Sequence, residues 1–224
     1  MKAQFEKATA GEKLSGFFVA YRKILLVVLV VLAVFILGYG ISFSVISNLN
    51  GKGLEDIDSI AYNLTKDSSG LSEEALEVRR VKALSDLDLY NKKSGVVGVR
   101  ANMLSAEVKY SQKNYAEAAA LWTAAAEKGK KSYTAPLCYF NAGAAFEDSS
   151  NLDDAEKSYE KTVSYKDFDQ IAHAKFSLGR VKEAKGDKTG AVEVYSELVG
   201  SVPNDSWAKL AESRLISLEL ADKE

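Results

Sequence analysis

The sequence feature that most constrains this chain is an apolar run at residues 24–46, which contains no charged side chain. A helix rises ~1.5 Å per residue, so a segment of this length reaches ~34 Å and crosses a hydrocarbon core of ~30 Å with modest tilt. Many of its residues are β-branched, but in lipid every backbone polar group must be paired within the segment. The run therefore predicts a transmembrane helix.

The charges on either side of the run predict its orientation. Residues 1–23 carry five basic side chains against two acidic ones, and Arg22 and Lys23 directly precede the apolar run. An excess of Lys and Arg favours the cytoplasmic side of a membrane. The sequence thus predicts a single-pass protein of the bacterial inner membrane. Its cytoplasmic basic arm covers residues 1–23, its transmembrane helix covers residues 24–46, and the remainder is periplasmic or extracytoplasmic.

A secretory signal peptide, removed after export, is the alternative interpretation of the apolar run. The small residues Gly38, Gly40, Ser42 and Ser44 offer a cleavage site. The long arm before the run and the apolar character that continues to Ile46 favour a retained anchor. Both alternatives place everything downstream outside the cytoplasm.

Composition and charge exclude several classes of function for the exported part. It carries a net charge of about −5, whereas nucleic-acid binding needs a basic face. Cys138 and His173 are the only cysteine and histidine, so standard metal-ligand sets are not available. Gly-rich phosphate loops and nucleophile elbows are missing as well. The sequence therefore predicts neither an enzyme nor a cofactor or metal site.

The region that follows the apolar run begins with turn-forming residues and continues with helical periodicity. Residues 47–53 combine Ser, Asn and Gly without periodicity and predict a short linker. Residues 54–97 predict two helices, the second with Ser72 as its N-cap. The apolar side of the first helix is predicted at Leu54, Ile57, Ala61 and Leu64, and that of the second at Val78, Val81, Leu84, Leu87 and Tyr90.

An internal repeat dominates residues 98–203. Three alanines, at positions 118, 155 and 191, are separated by 37 and 36 residues. A large aromatic residue follows each alanine by four positions, and a small residue precedes each by twelve. Small residues let two helices approach closely, and the aromatic ring fills the space beside them. The repeat-signature residues are Ala106, Ala118, Trp122, Gly143, Ala155, Tyr159, Gly179, Ala191, Tyr195 and Pro203.

This pattern resembles the tetratricopeptide repeat (TPR), a helical hairpin of about 34 residues. The third copy matches best, whereas Ala106 replaces the glycine of the first copy and Asp167 stands where the family prefers proline. The resemblance implies an all-α fold: one N-terminal transmembrane helix, then a TPR-type α-solenoid of about three hairpins. Residues 54–97 are expected to cap one end, as capping helices or a degenerate repeat, and residues 204–224 are expected to form a capping helix at the other end.

The resemblance also implies a groove that binds extended or helical peptide segments along the first helix of each hairpin. Ala144 and Arg180 stand where a carboxylate-binding groove would carry asparagine, so an apolar, partly aromatic groove is expected. The alternative is that Met103, Leu137, Phe140 and Phe176 are core residues between repeats. The candidate groove residues are Arg100, Met103, Glu107, Tyr110, Leu137, Phe140, Asn141, Ala144, Glu147, His173, Phe176, Ser177 and Arg180.

The layout of basic arm, single span and divergent repeats resembles the YfgM-like family, which associates with the Sec translocon and periplasmic chaperones. That resemblance implies a role in handling newly exported proteins. Two alternatives stay open: a scaffold in envelope biogenesis or cell division with a fixed partner, and self-association of the chain. The expected partners are therefore proteins or peptides, with the membrane as anchor.

Overall fold

The computed structural model describes residues 10–221, which are helical apart from turns. Residues 1–9, the first part of the predicted basic arm, lie outside the described residues. A short 3-10 helix at Ser68–Gly70 separates the first two α-helices. In chain order the helices are α1 (Ala10–Thr65), α2 (Glu73–Asn91), α3 (Gly95–Ser111), α4 (Tyr115–Lys128), α5 (Thr134–Asp148), α6 (Leu152–Val163), α7 (Ile171–Ala184), α8 (Lys188–Ser201) and α9 (Ser206–Ala221).

Helix α1 contains the apolar run and is the one helix in the described chain that is long and apolar enough to cross a membrane. Side chains along the run are exposed, for example Phe35 at 72 % and Ile36 at 70 %. An exposed apolar surface of this length is unfavourable in water and favourable in lipid. The chain divides into two compact units, one ending at Gly51 and the other beginning at Lys52.

The predicted linker at residues 47–53 is wrong, because α1 runs through it without a break. Asn and Gly only weaken a helix, by about 1 kcal/mol for Gly, and elongating a helix that already exists costs little. The segment contains no proline. Gly53 also has a packing role: a β-carbon there would lie 3.0 Å from Val97 Cγ1. Its small size therefore serves close helix packing.

The last part of α1 packs with α2 and α3 at the N-terminal end of the second unit. Ile57 and Leu87 are fully buried in this cluster, and the Tyr90 hydroxyl donates a hydrogen bond to Asp56 Oδ2 at 2.8 Å. Ser72 caps α2 as predicted, since its hydroxyl accepts a hydrogen bond from the Ala75 N–H at 3.3 Å. The end of α1, together with α2 and α3, thus forms a small hydrophobic core.

The predicted apolar side of α2 is partly wrong. Val78 and Val81 are 70 % and 58 % exposed, whereas Ala83 and Leu87 are buried. Helix α2 carries apolar residues on two opposite sides, whereas the sequence pattern predicts a single apolar side that includes residues from both. One side packs into the fold and the other, which also holds Leu89, faces outward.

Three helical hairpins follow, α3 with α4, α5 with α6 and α7 with α8, which confirms the predicted repeat architecture. The three signature alanines are fully buried. Tyr159 fills the space beside Gly143, and Tyr195 fills the space beside Gly179, so each ring lies where a β-carbon would clash. Close packing inside the second and third hairpins therefore depends on the glycine predicted for each.

The turn inside each hairpin has the same local structure. Lys113, Ser150 and Gly186 occupy equivalent positions and all have positive φ, at 62°, 62° and 83°. The next residue begins the second helix as its N-cap; the Asp187 carboxylate, for example, accepts a hydrogen bond from the Gly190 N–H at 2.9 Å. A left-handed residue followed by a short polar cap reverses the chain in few residues.

Helix α9 closes the end of the third hairpin. Its Ala208, Ala211 and Leu218 are buried against residues of α8 such as Leu198. Pro203 is exposed after the end of α8, where its missing N–H cannot continue the helix. The core of the second unit therefore extends to the last helix.

Candidate functional site

The first helices of successive hairpins are tied to one another by polar contacts. The Tyr110 hydroxyl of α3 donates to Asp148 Oδ2 of α5 at 2.5 Å. Arg180 of α7 pairs with Glu147 of α5 at 2.7 Å. Arg214 of α9 pairs with Glu183 of α7 through both carboxylate oxygens. We call the surface formed by the outward sides of α3, α5, α7 and α9 the first-helix face.

Two of these ties have the same three-residue chemistry. The Tyr159 hydroxyl donates to Glu147 Oε2 at 2.7 Å, and Arg180 binds the same carboxylate. Burial, followed by the charge of Glu147, raises the pKa of Tyr159, so the phenol remains a donor. Each carboxylate of this kind joins the second helix of its own hairpin to the first helix of the next.

The following tie repeats the arrangement one hairpin later. The Tyr195 hydroxyl donates to Glu183 Oε2 at 3.3 Å, and burial raises the pKa of Tyr195 to about 12. Arg214 donates from Nε to the same oxygen at 3.1 Å. Both arginines on this part of the face are therefore already bound to carboxylates and are not free cations for a ligand.

An aromatic strip runs beside the charged ties. The His173 imidazole lies between two rings: it stacks on Trp207 with centroids 3.7 Å apart and planes at 5°, and it meets Phe140 edge-on at 4.7 Å. Phe176 contacts Trp207 at 5.4 Å. Burial, and secondarily Arg180, lowers the pKa of His173, so this environment favours the neutral imidazole. Leu210, 48 % exposed, extends the apolar surface on α9.

The structure distributes the predicted groove residues among three environments. Two of them, Phe140 and Ser177, are wrong as contact residues because they are 9 % and 2 % exposed. Phe140 packs with Tyr159 and Ala174 in the core. Three residues are exposed, namely Glu107, Tyr110 and Arg180. The half-buried residues are Arg100, Met103, Leu137, Asn141, Ala144, Glu147, His173 and Phe176.

Residues on α9 belong to the first-helix face, whereas the sequence predicts α9 only as a capping helix. Trp207 follows His173 by 34 residues, and Arg214 follows Arg180 by the same interval. Buried Ala208 likewise follows buried Ala174. Helix α9 thus repeats the first helix of a hairpin, and the 34-residue spacing is the signal that could have found it.

A cavity of about 520 Å³ opens at the edge of the face, between the loop that joins α4 to α5 and the loop that joins α6 to α7. Leu137 lines it, Tyr133 stands at its rim with 90 % exposure, and the Tyr165 hydroxyl donates to the Lys130 carbonyl at 3.1 Å. Lysines together with Asp167 and Asp169 contribute charges of both signs to its walls. The cavity offers aromatic surface with mixed charge.

We considered two kinds of reactive site among the described residues, a metal-ion site and a nucleophilic thiol. Within residues 10–221, His, Cys, Asp and Glu form no group of three or more that fits a metal ion. Cys138 is fully buried, and burial raises its pKa to about 12, so the thiol is not a nucleophile near neutral pH. The geometry is that of a helical scaffold that presents a surface to other proteins.

The comparisons agree with this class of protein. Residues 140–206, from α5 to the start of α9, match the family model described as tetratricopeptide repeat. The chain is also similar to a TPR repeat-containing protein of Treponema pallidum (strain Nichols), with 27 % identity over 128 residues. That match covers 57 % of this chain and 54 % of the relative, so the chain spans about half the length of the relative. The repeat region of this chain is of the TPR type, a fold that presents binding surfaces to other proteins.

Proposed function

We propose that this chain is a membrane-tethered protein-binding module whose first-helix face holds segments of newly exported proteins. The module works on the exported side of the inner membrane, beside the Sec translocon or together with periplasmic chaperones. The observation that carries the proposal is the half-exposed aromatic strip of His173, Phe176 and Trp207 beside arginines that are already paired.

The chemistry of the face favours apolar partners. Aromatic side chains that are partly exposed in a polar rim are typical anchors of protein interfaces. Because Arg180 and Arg214 are engaged by Glu147 and Glu183, a ligand carboxylate would have to displace an existing ion pair. Segments with aromatic or aliphatic anchors, which unfolded exported chains expose, suit this surface.

Helix α1 supports the tether. Its apolar run is bordered by Arg22 and Lys23 on the side predicted to be cytoplasmic. The same uninterrupted helix ends in residues such as Ile57 that are buried in the second unit. A retained anchor keeps this helix whole, whereas cleavage within the run would remove its first part.

Site-specific photo-crosslinking tests the binding face. A photoreactive amino acid at Leu210 should capture many different exported chains in intact cells, whereas one at Val192, exposed on α8, should not. Exchanging His173 for alanine in the Leu210 variant should reduce capture. Equal capture from both positions would contradict the proposed face.

The same experiment separates the scaffold alternative from the proposed role. A scaffold in envelope biogenesis or division would yield one partner in fixed proportion, and its capture would not depend on ongoing protein export. A translocon-linked module should lose its crosslinks when export is stopped. Crosslinks that persist unchanged would favour the scaffold.

Protease accessibility tests the topology. Protease added to spheroplasts should digest the repeats while leaving a tag on the N-terminus intact, and protection of the repeats would overturn the orientation. The mass of the mature protein distinguishes a retained anchor from a cleaved signal. A chain that lacks its first ~40 residues would exclude the tether.

A further inference from the structure

Helix α2 carries a stripe of exposed aliphatic side chains. Val78, Val81 and Leu89 are 70 %, 58 % and 70 % exposed, and the small Ser85 lies between them on the same side. At ~100° per residue these positions fall within one narrow sector. Fully buried Leu87 lies on the opposite side of the helix, so the stripe is not part of the core.

The second helices of the three hairpins, α4, α6 and α8, do not carry such a stripe. On α4 the exposed positions include Ala116 and Ala120, and on α6 they include Lys157 and Glu160. Helix α8 exposes one large aliphatic residue, Val192, at 37 %. Aligned exposed aliphatic residues on one helix mark an interaction surface, whereas single ones do not. The anomaly is therefore confined to α2 among these helices.

We propose that this stripe is the contact between two copies of this chain, which pair through α2 in antiparallel orientation. If the twofold axis crosses near residue 84, Val78 of each copy meets Leu89 of the other. Val81 then lies beside Ser85, whose small side chain permits close approach. The stripe spans ~16 Å, about three helical turns, so the contact is a short helix pair with a self-complementary surface.

The charges that flank the stripe fit the same arrangement. Lys82 and Asp86 lie together on one edge and are paired within the chain at 2.7 Å. In the antiparallel pair, Lys82 of one copy comes level with Asp86 of the other. At the two ends of the stripe, Glu74 comes within one residue of the level of Lys92 of the other copy. Both ion pairs place the axis within about half a residue of the position set by Val78 and Leu89, which is the complementarity expected of a twofold interface.

The flanking charges also argue against a lipid surface as the occupant. Helices that lie on membranes have polar faces rich in Lys and Arg. Here basic and acidic residues alternate, with Lys82, Asp86, Asp88 and Lys92 all exposed. The stripe lies on a different helix from the first-helix face, so pairing through it does not require that face to bind anything. Two linked modules would bind an extended chain at two points.

Disulfide trapping tests the pairing in the full-length protein. Ser85→Cys should form a crosslinked dimer on mild oxidation in native membranes, because the two cysteines lie on the facing sides of the helices and only ~4.5 Å apart along them, close enough for a disulfide. The native Cys138 is fully buried and should not interfere. Ser196→Cys, exposed on α8, is the matched control for random collision. A dimer fraction for Ser85→Cys no greater than that of the control would overturn the proposal.

Charge exchange tests the register. Lys82→Glu should lower the trapped fraction of the Ser85→Cys protein severalfold, and Lys82→Glu with Asp86→Lys should restore it. Val81→Asp should weaken the dimer by about tenfold or more, whereas Ile216→Asp, an equally exposed site on α9, should not. Because these side chains are exposed, folding should be preserved, as circular dichroism would verify. Failure of the exchange to restore trapping would overturn the antiparallel register.

A fluorescent probe at residue 85 distinguishes a second copy from lipid. In nanodiscs that hold one copy, the emission of the probe should indicate exposure to water, and it should shift to the blue in discs that hold two. A blue-shifted emission already present with one copy would assign the stripe to the membrane and overturn the proposal.

Discussion

Tyr159 fills the volume that a β-carbon on Gly143 would need: such a carbon would lie 2.7 Å from Cε1 of the ring. The tyrosine is 1 % exposed and its hydroxyl is bound to Glu147, so it has little freedom to move. Gly179 and Tyr195 repeat this relationship in the next hairpin.

Gly143→Ala should therefore lower the stability of the repeat region. Overpacking of this kind costs about 1–3 kcal/mol, whereas the gain in helix propensity is about 1 kcal/mol, so a net loss is expected. Thermal unfolding followed by circular dichroism measures it. Gly200→Ala is the control: nothing lies within 4 Å of its β-carbon position, so it should leave the midpoint unchanged or raise it. Equal midpoints for both variants would contradict the packing argument.

The turns inside the hairpins predict stabilising substitutions. Lys113 and Ser150 have left-handed backbone conformations, which cost a non-glycine residue about 1 kcal/mol. Replacing either with glycine should raise the midpoint of thermal unfolding, partly offset by the greater freedom of glycine in the unfolded chain. Gly186→Ala, at the equivalent position, should lower it. The idea fails if glycine at positions 113 and 150 destabilises.

A double-mutant cycle should measure the tie between Glu147 and Arg180. The carboxylate is 13 % exposed and the arginine binds it through two oxygens, so a coupling free energy of about 1 kcal/mol is expected between Glu147→Gln and Arg180→Gln. The pair Arg100 and Asp58, 3.5 Å apart with side chains that are 41 % and 67 % exposed, should show coupling near zero. Similar coupling in both pairs would argue against a special role for the first tie.

The pKa of His173 predicts a pH dependence of stability. Burial lowers this pKa below its ordinary value of ~6.5, so folding favours the neutral imidazole. Its contribution is then fully present above pH ~6.5 and is lost as the pH falls through the folded pKa. Chemical unfolding should show lower stability at pH 5.5 than at pH 7.5. His173→Gln should reduce that difference, since His173 is the only histidine. Greater stability at pH 5.5 would indicate that protonated His173 gains more from stacking on Trp207.

Repeat spacing was sufficient to predict the hairpins, because the same contact recurs in each one. Ala155 and Tyr159 are separated by one helical turn, so both face helix α5. The glycine at position 143 of that helix leaves room for the tyrosine ring. Such a local relationship survives without knowledge of the rest of the fold. Helix α9 repeats the first helix of a hairpin in the same way. The alanine spacings of 37 and 36 residues do not predict it, because α9 follows α7 at a spacing of 34 residues.

The exposure of individual groove residues and the path of residues 47–53 depend on tertiary contacts, which the sequence pattern does not show. Phe140 and Phe176 look alike in the pattern, yet Phe140 is buried and Phe176 is half-buried. The neighbouring rings decide the difference: Phe140 contacts Tyr159, Phe168 and His173, whereas Phe176 contacts only Tyr195 and Trp207 among the rings of the described residues. The helical path through residues 47–53 was equally hidden, because turn-forming residues do not reveal whether a neighbour such as Val97 requires the absence of a side chain.

The Tyr–Glu–Arg ties give the chain a direction of completion. Glu147 and Glu183 each receive a tyrosine from their own hairpin but an arginine from the next one. A hairpin that leaves the ribosome or a membrane channel first therefore carries a half-satisfied carboxylate until the following helix arrives. Each of these hairpins is completed by the helix that follows it, and α9 supplies the cation for Glu183.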